Sequence, residues 1–237
     1  MLRTIGIVGY KNSGKTTLAR ALAQELVKRG HRVAAVKHSS EGMDFLGKDT
    51  ARLGEFADRL GFISPLESGV FWKKPLSLEN MAPYLEADVL LVEGFKAEKT
   101  FPKIVCLRGE LDDQDLFDGL AICAVGSAPE RRELDVPFLN LDEIGEIADL
   151  VEEKAFKLPN LDCGSCGFET CYELAREIVK GTRSVEDCVS LQRTTEVRID
   201  GKLMPMNPFI SAIVRSTILG MLSPLKGFKK GKVEISL

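Results

Sequence analysis

Residues 9–16 have the types and spacing of a loop that binds phosphate. They read Gly-Tyr-Lys-Asn-Ser-Gly-Lys-Thr and follow the pattern G-x-x-x-x-G-K-[ST], whose glycines let main-chain N–H groups turn toward the β-phosphate of a nucleotide. Lys15 is then expected to reach the β- and γ-phosphates, and the Thr16 hydroxyl to bind Mg²⁺. The pattern predicts a site for a nucleoside triphosphate and its metal ion.

An apolar run further along the chain carries a carboxylate at each end. Residues 87–94 read Ala-Asp-Val-Leu-Leu-Val-Glu-Gly, so Asp88 and Glu93 would lie at opposite ends of one buried strand, roughly 16 Å apart. Ligands of open α/β sheets bind beyond the carboxyl ends of the strands. Glu93 is therefore expected to face Mg²⁺ or its water shell, and to share the catalytic role with Lys15, whereas Asp88 caps the far end.

Charged residues also follow the second predicted strand. Lys37 and His38 end that strand, and Asp44, Lys48 and Asp49 come after it, so the same rule predicts that they lie beside the phosphate loop. Asp49 is equally compatible with the N-cap of a helix, and His38 with a structural histidine. The predicted nucleotide-binding residues are Gly9, Lys11, Asn12, Ser13, Gly14, Lys15, Thr16, Thr17, Lys37, His38 and Asp49.

Four cysteines in the C-terminal third are spaced like the ligands of a metal cluster. They follow the pattern Cys163-x₂-Cys166-x₄-Cys171-x₁₆-Cys188, in which one compact loop can supply three corners of a cubane iron–sulfur cluster. Structural zinc sites more often pair two C-x₂-C knuckles. The spacing favours a [4Fe–4S] cluster, with a structural zinc site as the alternative. The two other cysteines, Cys106 and Cys123, lie inside predicted strands and are expected to be buried apolar residues.

The elements that must position these residues alternate between strands and helices. Strands are predicted at Thr4–Val8 and Val33–Lys37, on either side of a helix over Lys15–Arg29, and this rhythm is typical of a parallel sheet. Further strands are predicted at Val70–Trp72, Val89–Val92, Lys103–Leu107 and Ala121–Val125. Further helices are predicted at Asp49–Leu60, Ser77–Leu85, Asp142–Phe156 and Thr170–Lys180.

The pattern along the chain divides it into three predicted domains. Residues 1–157 form a P-loop nucleotide-binding domain, 158–193 a four-cysteine iron–sulfur module, and 194–237 a tail of hairpin, helix and strand. In the tail, an Asp-Gly turn predicts a hairpin over Glu196–Met204, Asn207-Pro208 opens a helix, and Val233–Leu237 is a candidate strand. The fold class is α/β, of the P-loop NTPase type with a mostly parallel sheet, followed by a small iron–sulfur module and a small α+β tail.

Composition excludes several classes of partner. The net charge is −3 and no long basic block occurs, so nucleic acid is not expected to bind. The longest apolar-rich stretch, Phe209–Leu222, is shorter than the roughly 20 residues of a membrane span. The N-terminus lacks the pattern of a secretory signal. We therefore expect a cytoplasmic protein with no membrane partner.

The first 155 residues resemble the molybdopterin-guanine dinucleotide biosynthesis protein B (MobB) family. The shared motifs are Gly9–Thr17, Val36-Lys37-His38, Asp44, Gly47-Lys48-Asp49-Thr50, Val92-Glu93-Gly94-Phe95-Lys96, Lys103-Ile104-Val105 and Arg108. The resemblance implies a GTP-binding, weakly hydrolysing accessory protein at the guanine dinucleotide step of molybdenum or tungsten cofactor biosynthesis. It also implies a partner, either a guanylyltransferase or a cofactor-accepting enzyme, and a possible homodimer. The chain contains no Asn-Lys-x-Asp motif to read guanine, so GTP rather than ATP rests on the resemblance.

The cysteine segment is similar to the small iron–sulfur domain of corrinoid iron–sulfur proteins and of the Rnf-type electron-transport subunit. Two functions therefore remain open. In the first, the chain is an accessory GTPase whose cluster senses redox state or recognises a partner. In the second, it is a redox-gated electron-transfer or scaffold protein with a regulatory nucleotide site. Hydrolysis should be slow in either case, because no motif supplies a glutamine to orient water or an assured arginine finger, for which Arg108 near a strand end is only a weak candidate.

Overall fold

The computed structural model describes residues 2–39, 57–127, 134–191, 195, 197–199, 202–204, 206 and 208–228. The chain divides into two compact units, Met1–Lys157 and Leu158–Leu237. The predicted division into three domains stays a prediction. Asp44, Lys48, Asp49, the strand over Val233–Leu237 and most of the helix predicted at Asp49–Leu60 lie outside the described residues.

A six-stranded parallel sheet forms the centre of the first unit, with the strand order β2-β5-β1-β6-β7-β8. The strands are β1 Arg3–Gly9, β2 Val33–Lys37, β5 Val89–Glu93, β6 Lys103–Leu107, β7 Ala121–Gly126 and β8 Phe138–Leu139. Apolar side chains of the inner strands β5, β1 and β6 are almost fully buried, as expected for a sheet covered on both faces. The predicted α/β fold with a mostly parallel sheet is confirmed.

Strand register sets which residues meet at the carboxyl edge of this sheet. Ile7 of β1 pairs with Glu93 of β5, and Glu93 pairs in turn with Lys37 of β2. The last residue of β1, Gly9, pairs with Cys106 of β6. The loops that follow these strands therefore emerge side by side.

Helix α1, Lys15–Lys28, follows the phosphate loop directly. It buries leucines at helical spacing, Leu18, Leu22 and Leu26, and each fully buried leucine contributes about 2 kcal/mol. The helix ends as predicted at Gly30, whose φ of 89° no other residue type adopts easily. The Gly30 N–H donates to the Val27 carbonyl oxygen, and that of His31 to the Leu26 carbonyl oxygen.

A second long helix, Ile144–Lys154, lies against α1 and buries Ile147, Ala148 and Val151. Arg29, at the end of α1, joins the two helices: its Nη1 donates to Asp149 Oδ1 at 2.6 Å and to Glu152 Oε2 at 2.5 Å. These partly exposed ion pairs add modestly to the apolar contact. Together they hold the helix that begins at the phosphate loop.

The strand predicted at Val70–Trp72 is present, but it does not join the parallel sheet. It belongs to β4, Ser68–Trp72, which pairs antiparallel with β3, Arg59–Ile63, in a separate two-stranded hairpin. The prediction that Arg59 and Leu60 end a helix is wrong for those two residues. The turn is closed by Ser64, whose Oγ accepts from the Leu66 and Glu67 N–H groups, a local bond that competes with helix formation.

The remaining elements of the first unit are short. Helix α2, Leu78–Met81, begins after Ser77, whose side chain accepts from the Asn80 N–H, and runs into a 3₁₀ turn at Ala82–Tyr84. The helix predicted at Ser77–Leu85 is thus one α-helical turn and one 3₁₀ turn. Two further 3₁₀ segments span Leu111–Leu116 and Leu141–Glu143, and the second leads into the helix over Ile144–Lys154, here α3.

The second unit contains helix α4, Cys171–Val179, with Thr170 and Glu173 forming a reciprocal cap at its N-terminus. A 3₁₀ turn at Val185–Asp187 follows. Beyond it, β9, Arg198–Ile199, pairs antiparallel with β10, Lys202–Leu203, as the predicted hairpin requires. Helix α5, Pro208–Leu222, comes last. Within the described ranges, no helix has the length and apolar character needed to cross a bilayer.

Candidate functional site

The phosphate loop begins where β1 ends, at a glycine that has no room for a side chain. A Cβ at Gly9 would overlap the Ser13 hydroxyl and would lie 2.7 Å from the Cys106 carbonyl oxygen. Asn12 and Gly14 take positive φ values of 63° and 81°. The loop therefore doubles back tightly over β6, as a main-chain phosphate cradle requires.

Lys15 points across this loop. Its Nζ donates to the Tyr10 carbonyl oxygen at 2.5 Å and lies 3.5 Å from Ser13 Oγ. Gly14 is the N-cap of α1, and it has no side chain to bond the first N–H groups of the helix. The positive end of the helix dipole and the ammonium group consequently face the same loop, an arrangement that attracts anions.

A hydroxyl, a carboxylate and an ammonium group meet beside Lys15. Thr16 Oγ1 donates to Glu93 Oε1 at 2.8 Å, and Lys37 Nζ lies 3.4 Å from the same oxygen. The Glu93 side chain is 13% exposed and that of Lys37 is 62% exposed, so solvent screens this ion pair. Hydroxyl and carboxylate oxygens are the ligands that Mg²⁺ prefers. The residues at this position fit that ion.

Asp88 lies at the opposite end of β5, as the strand geometry predicts. Its carboxylate accepts from the Arg32 main-chain N–H at 2.9 Å and from the Arg32 guanidinium at 3.0 Å. The hydrogen bonds from Arg32 lower the pKa of Asp88 to about 2. Of the two carboxylates on this strand, Glu93 alone is at the phosphate-loop edge.

His38 lies next to Glu93 but is exposed. Its main-chain N–H donates to the Glu93 carbonyl oxygen at 2.9 Å, and its ring centroid is 4.7 Å from that of Phe95. Gly94 and Phe95 both have positive φ, 92° and 51°, so the chain turns sharply after Glu93. The structure thus gathers the predicted residues of the loop, Glu93, Lys37 and His38 at one edge, while Asp49 lies outside the described residues.

Sequence analysis named Lys96 and Arg108 among the shared motif residues but did not predict that both cations contact the Tyr10 ring. Lys96 Nζ lies 3.6 Å from the ring centroid, and Arg108 Cζ lies 4.6 Å from it. Both residues follow carboxyl ends of strands, Lys96 after β5 and Arg108 after β6. The strand-end rule that selected Glu93 could therefore have selected them too.

The four spaced cysteines of the second unit line a single pocket. Pro159, Phe168 and Leu174 complete much of its wall. All four are free thiols. The Cys163 and Ser190 side chains are hydrogen-bonded, with Sγ and Oγ 3.2 Å apart.

The chain around this pocket is made of tight turns. Gly164 and Gly167 have φ values of 67° and 88°, and Asp162 has a φ of 43°. Asp162 Oδ1 accepts from the Cys171 N–H at 2.6 Å, which ties the loop to the first residue of α4. No Cβ would meet anything within 4 Å at Gly167, so positive φ, and not crowding, selects glycine there.

Burial and hydrogen bonds shift the pKa of three of the pocket's thiols, Cys163, Cys171 and Cys188, in different directions. It raises the pKa of Cys171 and of Cys188, although main-chain hydrogen bonds partly oppose the effect. Burial also raises the pKa of Cys163, but hydrogen bonds from Ser190 and Ser165 outweigh it, so the pKa of Cys163 is lowered. Buried thiolates need a cationic partner such as a metal centre.

The lining of this pocket bears on which centre fits. Among the described residues, no group of three or more His, Cys, Asp or Glu side chains is placed to hold a single metal ion. Cysteine thiolates are the usual ligands of iron–sulfur clusters and are also ligands of structural zinc. Four thiols lining one pocket with glycine turns between them fit a cluster.

The two other cysteines, Cys106 and Cys123, lie in β6 and β7, where burial raises the pKa of each to about 12.

Two family models match the chain, one to each unit. Residues 4–127 match the model described as Molybdopterin guanine dinucleotide synthesis protein B, MobB. Residues 158–190 match the model described as "Putative Fe-S cluster". The first match covers the phosphate loop and Glu93, and the second covers all four pocket cysteines.

Relatives with similar sequences have related names. A Methanocaldococcus jannaschii protein, "Putative molybdopterin-guanine dinucleotide biosynthesis adapter protein", is 33% identical over 247 residues, with 100% of this chain and 98% of that protein covered. The molybdopterin-guanine dinucleotide biosynthesis adapter protein of Haemophilus influenzae is 35% identical over 157 residues, covering 62% of this chain and 86% of that protein. The first relative is therefore similar across both units.

Solved structures resemble the first unit. A MobB protein homolog from Bacillus stearothermophilus is 26% identical with a TM-score of 0.50, covering 64% of this chain and 99% of that one. Bacillus subtilis MobB is 23% identical with a TM-score of 0.55, covering 65% and 99%. The second likeness supports the fold alone.

Proposed function

This chain belongs to the MobB family, and from that premise we propose that it binds GTP with Mg²⁺ and acts in molybdenum cofactor biosynthesis. The step is that of the guanine dinucleotide, for which its relatives are named. One observation supports the proposal above all others: Lys15 crosses a loop whose main chain is bent by positive φ values, and Thr16, the next residue, donates to Glu93.

Each residue of the site has a distinct part in binding. Main-chain N–H groups of the loop and the N-terminus of α1 hold the phosphates. Lys15 exchanges its bond with the Tyr10 carbonyl oxygen for one with a phosphate oxygen. Thr16 and Glu93 provide oxygen ligands for Mg²⁺, which when bound neutralises charge on the β- and γ-phosphates. Lys37 and His38 line the same edge.

Hydrolysis of GTP by this site is slow. The Glu93 carboxylate already accepts from Thr16 and pairs with Lys37, so the motif carboxylate at this edge serves the metal and is not positioned to orient water. Phosphoryl transfer depends mainly on positioning and charge. We infer an adapter whose nucleotide state controls docking to a guanylyltransferase or to a cofactor-accepting enzyme, with homodimer formation as a further possibility.

The cysteine pocket holds a [4Fe–4S] cluster in this proposal. Its ligands are Cys163, Cys166, Cys171 and Cys188, which line one pocket, and the cluster when bound supplies one-electron chemistry. The same observation favours the second candidate function, a redox-gated electron-transfer or scaffold protein. A deletion strain separates the two: lost cofactor synthesis supports the adapter, whereas unchanged synthesis with a cluster that a physiological donor reduces supports the second candidate.

Calorimetric titration of anaerobically purified protein tests the nucleotide proposal. GTP should bind more tightly than ATP, and binding should strengthen when Mg²⁺ is present. The visible spectrum of the same sample should show the broad absorption of an iron–sulfur cluster. Absence of affinity for any guanine nucleotide would overturn the proposed function, and zinc in place of iron and sulfide would overturn the cluster.

A further inference from the structure

Three cations surround one residue of the phosphate loop. Lys15 donates to the Tyr10 carbonyl oxygen, while Lys96 and Arg108 lie over the Tyr10 ring. The ring accounts for part of this arrangement, because a cation is attracted to the face of an aromatic ring.

Arg108 is fixed in this position by carboxylates. Its Nη2 donates to Asp112 Oδ1 at 2.5 Å and its Nε lies 3.3 Å from Asp113 Oδ1. Asp113 is buried and also accepts from the Arg108 and Gly109 main-chain N–H groups. The guanidinium is therefore held over Tyr10 before any ligand arrives, at little further entropic cost.

A buried lysine, Lys103, fixes the main chain at Lys96. Lys103, only 1% exposed, donates from Nζ to the Lys96 carbonyl oxygen at 2.8 Å and to Asp118 Oδ2 at 2.7 Å. Removing one partner of such a buried pair is strongly destabilising. The turn that carries Lys96 back over the phosphate loop is thus anchored in the core of the sheet.

The Lys96 ammonium has a different environment from Arg108. Among the described residues no carboxylate forms a salt bridge with it, although Arg108 has two. Partial burial, followed by the charges of Lys15 and Arg108, lowers the pKa of Lys96, although the charges of Asp112 and Asp113 partly oppose the effect. An anion placed beside the ring would accept charge-assisted hydrogen bonds from the Lys96 ammonium group.

We propose that Tyr10, Lys96 and Arg108 form a second anion subsite, beside the phosphate loop, which takes a phosphate group. The proposal rests on the proposed function, since the loop itself holds the β-phosphate. The group is either the terminal phosphate of the nucleotide or a phosphate on a second small molecule bound next to it. Lys96 is a binding residue of this subsite, and Arg108 and Tyr10 position the charge.

The test compares Lys96→Gln with wild-type protein, using GDP, a non-hydrolysable GTP analogue, and inorganic phosphate added to the GDP complex. If the terminal phosphate occupies the subsite, the variant binds the analogue about tenfold more weakly, ~1.4 kcal/mol, and binds GDP as before. If the phosphate belongs to a second molecule, the variant binds GDP and the GTP analogue as tightly as wild type does. Inorganic phosphate then binds the wild-type GDP complex but not that of the variant.

Two further variants complete the test. Lys96→Arg keeps the charge and should restore whichever affinity was lost. Lys28→Gln removes a lysine at the other end of α1, where it pairs with Glu25, and should leave all three affinities unchanged. If Lys96→Gln binds all three ligands with wild-type affinity, the subsite is overturned but the proposed function is not. Wild-type protein that binds neither nucleotide would overturn the proposed function itself.

Discussion

The phosphate-loop edge and the cysteine pocket are built on opposite principles. Lys37, Glu93 and the phosphate loop are placed by strands of a parallel sheet whose apolar residues are buried whether or not a ligand binds. The cysteines are placed by tight turns with positive φ and by one helix of nine residues. A sheet can hold a site open in advance, whereas short turns need the ligand to hold them.

Size sharpens this contrast. The cysteine segment 158–190 is one part of the compact unit Leu158–Leu237, and by itself it is shorter than the roughly 40 residues below which chains usually need disulfides, metals or partners to fold. Its thiols are free, so a metal centre is the group that could stabilise it. Ligand loss should therefore empty the first site and unfold the second.

The largest effect is expected from loss of a pocket cysteine. Cys166→Ser should abolish cluster binding, and the segment should lose its order because the metal centre contributes directly to folding. Iron content, visible absorption and amide hydrogen exchange over Cys171–Val179 measure this. GTP affinity should remain within twofold of wild type. An intact, protected α4 in the iron-free variant would show that the segment folds without its cluster.

The reciprocal change should empty the phosphate loop alone. Lys15→Ala removes the ammonium group that faces the phosphates and should weaken GTP binding by about a hundredfold, ~2.7 kcal/mol. The absorption of the cluster should be unchanged. Equal loss of nucleotide and cluster in this variant would contradict the independence of the two sites.

A smaller effect is expected at the metal ligands of the loop. Glu93→Gln should weaken GTP binding about tenfold in Mg²⁺, and should not weaken it without Mg²⁺, because the variant removes a negative charge from the phosphate edge. Asp88→Asn is the matched control, since it neutralises the carboxylate at the other end of the same strand. GTP titrations with and without Mg²⁺ distinguish the Glu93→Gln variant from the Asp88→Asn control. A Mg²⁺ dependence in Glu93→Gln equal to that of wild type would exclude Glu93 as a ligand.

The smallest effect concerns stability and pH. Hydrogen bonds from Arg32 lower the pKa of Asp88 from 3.8 to about 2, so the native state favours the ionised form. The stabilisation is complete above about pH 5 and decreases as the pH falls toward 2. Denaturant unfolding should show that wild type has a slightly larger free energy of unfolding than Asp88→Asn at pH 6. This difference should be smaller at pH 3. A difference that grows at acid pH would contradict the pairing.

The sequence predicted best where local patterns determine structure. Val33–Lys37 and Lys103–Leu107 have the predicted bounds as strands, and Gly30 ends α1 as expected. Glu93 was separated from Asp88 by the length of one strand, and the structure has them at opposite ends. Periodicity, motif spacing and strand length are all local quantities.

Features that depend on distant pairing were missed. The strand β3 is exposed at four of its five residues and contains Gly61, so its alternation is weak, and β8 has only two residues. The contact of Lys96 and Arg108 with Tyr10 needs two loops to turn back over a third. One of those turns uses a positive φ at Phe95, a conformation that no sequence pattern for a bulky residue predicts.

A crystal structure of the chain with Mg²⁺ and a non-hydrolysable GTP analogue tests the central claim most directly. The β-phosphate should lie within hydrogen-bonding distance of the main-chain N–H groups of residues 13–16. The Lys15 ammonium group should bond a phosphate oxygen in place of the Tyr10 carbonyl oxygen. The Thr16 hydroxyl and the Glu93 carboxylate should both lie at the Mg²⁺ ion. A loop closed on itself, with Lys15 still bound to Tyr10 and the nucleotide elsewhere, would contradict the account.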